Sequence, residues 1–301
     1  MRCYDPLMTT VVTIATEGRI ENLRNLRDSL RIHAPETELL IVTVGKDPFV
    51  PWEGARCVHN FQDGPFNAAK ARNIGLHLAS QTDDTIIGLD ADCIVGKNTI
   101  ALYEDALRRQ PEAVTIGPIN WLNLRAQDIV GHIEDIDILR RKVERTRRFP
   151  ADGEMQKTEL REYWLFFSGS YAMRSSTWRK CVNLFGGFCE EYEGWGLEDT
   201  DFGLSLHRHE IETFQIGGAV AYHQKHDAQW PPIDSVDYVA KNANLFLERN
   251  GFPHNDMLGP LDDLGMIEID ETGYVTVLKH GRDLPDWIRK STVLSAPMIS
   301  E

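Results

Sequence analysis

The chain has 301 residues, 42% of them hydrophobic, with 32 Lys plus Arg against 46 Asp plus Glu and a formal charge of −14. That length suits one large domain or two small ones, and the composition is that of a globular chain. The acidic balance excludes a general nucleic-acid binder, which needs a basic face, and no apolar run reaches the roughly 20 residues of a membrane-spanning helix.

The N-terminus lacks a charged segment followed by an apolar core, so no signal peptide is expected. The five cysteines, Cys3, Cys57, Cys93, Cys181 and Cys189, are scattered without a CxxC pair. They point to a reducing compartment, and a cytoplasmic location, free or peripheral to a membrane, is the expectation. Residues 9–16 form a β-branched run of strand length, followed by a turn at Glu17-Gly18-Arg19. Ile20, Leu23, Leu26 and Leu30 then recur at helical spacing, and residues 39–44 form the next strand. Strand, helix and strand read as a right-handed βαβ unit of an α/β fold with a parallel sheet. Ligands bind such sheets beyond the carboxyl ends of the strands, where Glu17, Gly18 and Arg19 lie.

A second helix opens near Asn67, which can cap it. Lys70 and Arg72 lie in its first turns, where the helix dipole disfavours cations. An anionic neighbour and simple solvation explain them equally well. The apolar strand 84–89 ends in Asp90-Ala91-Asp92, two carboxylates one residue apart and suited to Mg²⁺ or Mn²⁺. Residues 98–109 read as a helix, 113–117 as a short strand and 127–148 as a long, charged, mostly helical segment. Its basic end (Arg140, Arg141, Lys142, Arg145, Arg147 and Arg148) reads as a solvated face. A loop is expected over 150–159, and core strands over 163–173, where Ser168-Gly169-Ser170 suggests close backbone approach to a ligand.

The densest chemistry lies over 193–203, with Glu193, Glu198, Asp199 and Asp201 clustered around Trp195 and its flanking Gly194 and Gly196. Helical spacing resumes after it, so the acids sit at a helix N-terminus. Capping needs one carboxylate and no tryptophan between glycines, so a functional role is favoured over a cap. The strand-like run 212–221 leads to His223 and His226. Two histidines three apart, on a chain with the Asp90-Ala91-Asp92 turn, read as metal ligands in at least one of the two. Residues 234–249 read as a helix, and 266–269 with 274–278 as a hairpin.

The first strand and turn, the helix after Phe66, the Asp90-Ala91-Asp92 turn, and the Gly-Trp-Gly-Leu-Glu-Asp stretch followed by the histidines resemble, in this order, the inverting GT-A glycosyltransferases. The likeness is to the beta-1,4-galactosyltransferases and to the galactosyltransferase-like half of bacterial chondroitin polymerases, and it covers roughly residues 9 to 250 in outline. It implies a Rossmann-like nucleotide-diphospho-sugar transferase fold, a mostly parallel central sheet flanked by helices. One catalytic domain would span 1–258, with a nucleotide-sugar half over about 1–125 and an acceptor half over about 126–258. Residues 259–301 would form a C-terminal extension carrying the hairpin. The implied reaction is metal-dependent transfer, with inversion, of a hexose or N-acetylhexosamine from a UDP-sugar to a carbohydrate or glycoconjugate acceptor, with galactose or N-acetylgalactosamine leading.

By the same resemblance, Asp199 would be the general base and Glu198 would bind the acceptor sugar. Asp90 and Asp92, with His223 and His226, would hold Mn²⁺ or Mg²⁺. The two family likenesses favour different histidines. Thr16, Glu17, Arg19, Phe66, Lys70, Asn73, Asp90 and Ala91 would line the donor pocket. Trp195 and Gly196 would belong to a mobile loop closing over the donor. Two rival readings are a metal-dependent nucleotidyltransferase and a non-catalytic carbohydrate-binding relative that uses Trp195 and Trp164 as sugar platforms.

Overall fold

The computed structural model describes residues 8–82, 84–135, 139–145, 149–254, 258–291 and 293–294. Cys3, Arg147 and Arg148 lie outside them. An eight-stranded sheet runs through the centre. Its strands are β1 (Thr9–Ala15), β2 (Glu38–Gly45), β3 (Cys57–Phe61), β4 (Thr85–Leu89), β6 (Val114–Ile116), β9 (Met155–Lys157), β10 (Ser170–Arg174) and β11 (Thr213–Ile216). The order across the sheet is β3-β2-β1-β4-β10-β6-β11-β9. β10 runs against β4 and β6, and β9 runs against β11; the remaining pairings are parallel. The sheet is therefore mixed but mostly parallel, with the first βαβ unit as the sequence predicts.

Both faces of this sheet are covered, which is why its strands read as apolar runs instead of alternating. The helices are α1 (Ile20–His33), α2 (Ala68–Ala79), α3 (Thr99–Arg109), α4 (Ser175–Phe185), α5 (Glu198–Arg208) and α6 (Val236–Asn250). Val11, Ile41 and Ile87 meet Leu23 and Leu26 of α1 and Tyr103 and Leu107 of α3 on one face. Val12, Leu40 and Ile86 belong to the other core, with Leu76 of α2, Trp178 of α4, Phe202 of α5 and Phe246 of α6. The period-two alternation of a strand sends neighbours such as Val11 and Val12 to opposite cores. α2 lies very close to the sheet: a Cβ added at Gly75 would stand 2.5 Å from Val12 Cγ1.

A smaller sheet, in the order β5-β12-β7-β8, carries half of the site. It is built from β5 (Cys93–Val95), β7 (Ile119–Arg125), β8 (Val143–Arg145) and β12 (Ala221–Lys225). Several sequence expectations are corrected here. Among the described residues, the span expected to be one helix over 127–148 holds a helical turn at Ala126–Ile129, turns, helical residues at 139–140 and β8. Its residues serve a sheet edge, and charge density alone does not distinguish an edge strand from a helix face. The aromatic run 163–173 is strand only from Ser170; Leu160–Tyr163 is a helical turn. The loop expected over 150–159 contains β9, an edge strand too short to show a period. The run over 212–221 is two strands of different sheets, β11 and β12. The expected hairpin is present as β13 (Ile267–Ile269) paired with β14 (Val275–Val277). Asn244 of α6 clasps it, accepting from the Val275 N–H at 2.7 Å and donating to the Val275 carbonyl at 2.9 Å. Cys57, Cys93, Cys181 and Cys189 are free thiols. No described helix is long and apolar enough to cross a membrane.

Candidate active site

The centre of the site is the turn that leaves β4. Asp90, Ala91 and Asp92 link β4 in the large sheet to β5 in the small one, so the turn lies where the two sheets meet. β12 pairs antiparallel with β5, Tyr222 opposite Ile94 and His223 opposite Cys93. The next step of that ladder is the Gln224 N–H donating to the Asp92 carbonyl at 2.8 Å. Register alone therefore delivers His223 to Asp92 across a long sequence separation. Gln224 fixes the strand from the other side. Its buried amide donates to the Asn22 carbonyl at 3.0 Å and accepts from Asn25 at 2.7 Å, which ties β12 to α1.

His223 Nε2 lies 3.4 Å from Asp92 Oδ1, and His226 Nε2 lies 3.3 Å from Asp92 Oδ2. One donor atom from each of the three residues falls within 4.8 Å of the others. Asp92 is buried and its Oδ1 makes no hydrogen bond. Burial opposes its charge, but His223 and His226 outweigh burial and hold its carboxyl well below the usual carboxylate range. Arg19, from the turn after β1, reaches His226 Nδ1 at 3.3 Å. A buried carboxylate with one unsatisfied oxygen and an imidazole set against each of its two oxygens is a donor set of the kind divalent transition metals take.

Asp90 points elsewhere. Its Oδ1 is 3.4 Å from the guanidinium of Arg72 in α2. The other arm of Arg72 donates to Glu198 Oε1 at 2.8 Å. Glu198 and Asp199 open α5, after a backbone made left-handed by Gly194 (φ 71°), Gly196 (φ 93°) and Leu197 (φ 76°). Glycine is required at 194 twice over, for its φ and because a Cβ there would stand 2.5 Å from the Tyr238 ring. Leu197 bears the left-handed conformation with a side chain, a strain of about 1–2 kcal/mol. Burial and the neighbouring Glu198 raise the Asp199 carboxyl, Arg72 lowers it, and it stands at about 7. Burial and the repulsion of Asp92 likewise raise Asp90 against the pull of Arg72.

The acidic stretch thus divides by helix phase. Glu198 and Asp199 face the turn after β4. Asp201 is 1% exposed and faces α6, where Arg249 donates to both its oxygens at 3.0–3.2 Å and Asn250 donates at 3.0 Å. Glu193 is bound by Lys241 at 2.6 Å. Asn242 of α6 holds the Trp195 loop by its backbone, donating to the carbonyls of Glu193, Trp195 and Gly196 at 2.9, 3.0 and 3.1 Å. Trp195 is 36% exposed, and its ring stands 6.0 Å from that of Trp230.

The structure therefore gathers Asp92, His223, His226 and Arg19 on one side of Ala91, which is buried, and Asp90, Glu198 and Asp199 on the other. Thr16 closes the turn that carries Arg19, its carbonyl accepting from the Arg19 N–H at 3.0 Å. Phe66 joins the site through its backbone, its carbonyl accepting from the Gly194 N–H at 2.7 Å. Glu17 and Lys70 are exposed. Asn73 is turned away: its amide donates to the Phe188 carbonyl and to Glu190, both at 2.9 Å, and accepts from the Phe188 N–H. Of the two cations that open α2, Lys70 is exposed and Arg72 meets Glu198 and Asp90. Its unfavourable place at a helix start is the signal that could have found it. Gln224, Asn242 and Trp230 carry no such signal.

A family described as the N-terminal domain of galactosyltransferase matches residues 154–227, a span that holds Glu198, Asp199 and both histidines. The chain is 28% identical over 211 residues to the hyaluronan synthase of Pasteurella multocida, covering 64% of this chain and 21% of that protein. It is 23% identical over 212 residues to the chondroitin synthase of Escherichia coli, covering 64% of this chain and 30% of that protein. The chain thus spans less than a third of the length of either relative. Among solved structures it superposes on the S. aureus TarS crystal structure with a TM-score of 0.52 at 13% identity, over 81% of this chain and 40% of that one. The chain has the fold of the GT-A glycosyltransferases, and within it the segment that carries Glu198, Asp199 and both histidines is similar to the galactosyltransferase domain family.

Proposed function

We propose that this chain moves a hexose or N-acetylhexosamine from a UDP-sugar to an acceptor hydroxyl with inversion, in a metal-dependent reaction. Galactose and N-acetylgalactosamine are the leading donor sugars. The observation that carries the reading is the pairing of two groups across one turn. On one side is an Asp-His-His donor set, on the other a carboxylate poised near neutral pH. Asp92, His223 and His226 would hold Mn²⁺ or Mg²⁺, which when bound supplies Lewis-acid stabilisation to the leaving diphosphate. Asp90 sits on Arg72 and would face the donor, which leaves Asp92 as the carboxylate of the metal set.

Asp199 accepts the proton of the acceptor hydroxyl. The freed oxygen attacks the anomeric carbon, and the bond from that carbon to the diphosphate oxygen breaks with its electron pair going to the diphosphate. A general base is most effective when its pKa lies near the working pH, and such a base contributes about 10²–10⁴-fold. A single displacement on the face opposite the leaving group inverts the anomeric centre. Trp195, exposed, and Trp230, half-buried, stand 6.0 Å apart, and an indole of that kind suits the apolar face of a sugar ring.

The test is UDP release from a panel of UDP-sugars with Mn²⁺ and then with EDTA. Release from one donor that EDTA abolishes is the expected result. Metal-dependent UDP binding without release from any donor, even with saccharide acceptors added, would replace the reading with that of a binding relative. Neither binding nor release would end it.

A further inference from the structure

We propose that Arg72 is a positioning residue for catalysis: its guanidinium fork fastens Glu198, at the start of α5, to Asp90, at the end of β4, and so sets where Asp199 stands. This rests on the reading of Asp199 as the base. Arg72 belongs to α2, an element outside both the Asp90-Ala91-Asp92 turn and the α5 N-terminus, yet one nitrogen lies 2.8 Å from Glu198 Oε1 and another 3.4 Å from Asp90 Oδ1. Its side chain is 11% exposed and that of Glu198 is 14%, so the link is largely withdrawn from water. A planar guanidinium can bridge two carboxylates in fixed directions, which the point charge of a lysine cannot do.

The surroundings of Arg72 hold it in place. Its guanidinium carbon stands 5.6 Å above the centre of the Phe188 ring. Phe188 is itself clamped at both backbone groups by Asn73, the next residue of α2. α2 thus supplies the cation and fixes the platform under it. The charged groups that face Asp199 are Glu198 from its own helix, Asp90 from the turn after β4, and Arg72 from α2, together with the N–H of Thr200, which donates to Asp199 Oδ1 at 2.8 Å. Arg72 is the cation in that set. Burial works against its charge, but Asp90 and Glu198 more than restore it, so it stays protonated at any working pH.

The experiment follows Mn²⁺-dependent UDP release from UDP-N-acetylgalactosamine, or from UDP-galactose if that donor is the one turned over, as a function of pH. Wild type is compared with Arg72→Lys, Arg72→Met and Asp199→Asn. In Arg72→Met the acidic limb of kcat should move up by about one pH unit, the effect of removing a close opposite charge, and kcat should fall at its plateau. In Arg72→Lys the charge remains without the fork, so the limb should stay while kcat falls. Calorimetric binding of UDP with Mn²⁺ at wild-type affinity would show that each variant is folded and its metal side intact. An unmoved limb in Arg72→Met, or wild-type kcat in Arg72→Lys, would overturn the assignment; should the Met variant not fold, the Lys variant alone decides. Wild-type release by Asp199→Asn, or no release by the wild type, would instead remove the base reading and this inference with it. An inactive Asp199→Asn beside an unmoved limb removes only the role of Arg72.

Discussion

Asp199→Asn should make the protein more stable at neutral and alkaline pH while removing its catalysis. Burial and the nearby Glu198 lift the Asp199 carboxyl from 3.8 to about 7. The folded state therefore binds a proton that the unfolded state releases. A group shifted upward contributes stability that is complete below its unfolded pKa and is lost as pH rises to its folded pKa. For Asp199 that window is pH 4 to 7. Three units at about 1.4 kcal/mol each set a ceiling of roughly 4 kcal/mol. Part of the repulsion is shared with Glu198, so about 2 kcal/mol is the expected loss. Asn is isosteric and neutral at every pH, and it escapes that loss. Urea unfolding of both proteins in EDTA, at pH 4.5, 6 and 8, reads the difference directly. The advantage of the variant should be small at pH 4.5 and grow to about 2 kcal/mol by pH 8. A difference that stays flat with pH, or a variant less stable than wild type at pH 8, would refute the account of Asp199 as a carboxylate held near neutrality by burial and Glu198.

Asp201 lies two residues on and should behave in the opposite way. Asp201→Ala leaves the Arg249 guanidinium without its carboxylate and should destabilise the fold by about 3–5 kcal/mol, seen as a lower thermal midpoint with or without Mn²⁺. His223→Ala and His226→Ala should each weaken Mn²⁺ binding by about tenfold or more, since each removes one donor of three; calorimetry of Mn²⁺ with UDP present checks this. An unchanged affinity in one of them would assign the metal to the other histidine.

The central strands were legible because burial on both faces makes β1, β2 and β4 continuous apolar runs, and α1 shows its period because one face is wet. Among the three-residue strands, β6 and the hairpin were legible from their apolar runs and turn signals, and others were not. β5 and β9 each span three residues, too few for a period to appear, and both are strands only because a partner lies beside them. β12 looked like the tail of β11, although the chain changes sheets between them. The chemistry followed the same division. Asp90, Asp92, Glu198, Asp199 and the histidines stand out by type and spacing. Their assignment to two sides of one turn depends on register, and the partner of each was out of sight. Arg72 shows this most plainly. Its position against the helix dipole asks for an anion, but only the fold says that the anions are Glu198 and Asp90 and that Lys70, two residues earlier, faces solvent.

The Trp195 loop shows how the same local sequence supports two different expectations. Glycines on both sides suggest a segment free to swing. In the folded chain, Gly194, Gly196 and Leu197 instead adopt the left-handed backbone that brings three carbonyls onto one side-chain amide, that of Asn242. Asn242 is 1% exposed, and its oxygen also accepts from the Glu193 N–H. A backbone swing would break these bonds at about 1 kcal/mol each and leave a buried amide unsatisfied, at a further cost of about 1–3 kcal/mol. Rotation of the indole about its own side-chain bonds breaks none of them. On the proposed function, closure over a donor would have two routes of very different cost. One turns the Trp195 ring toward or away from Trp230 on a fixed backbone. The other carries α6 along with the loop, and α6 is anchored to the α5 N-terminal turn through Arg249 and Asp201 and to the hairpin through Asn244. The glycines here serve mainly to make the pinned conformation reachable, and the freedom left to the site lies in the tryptophan side chain.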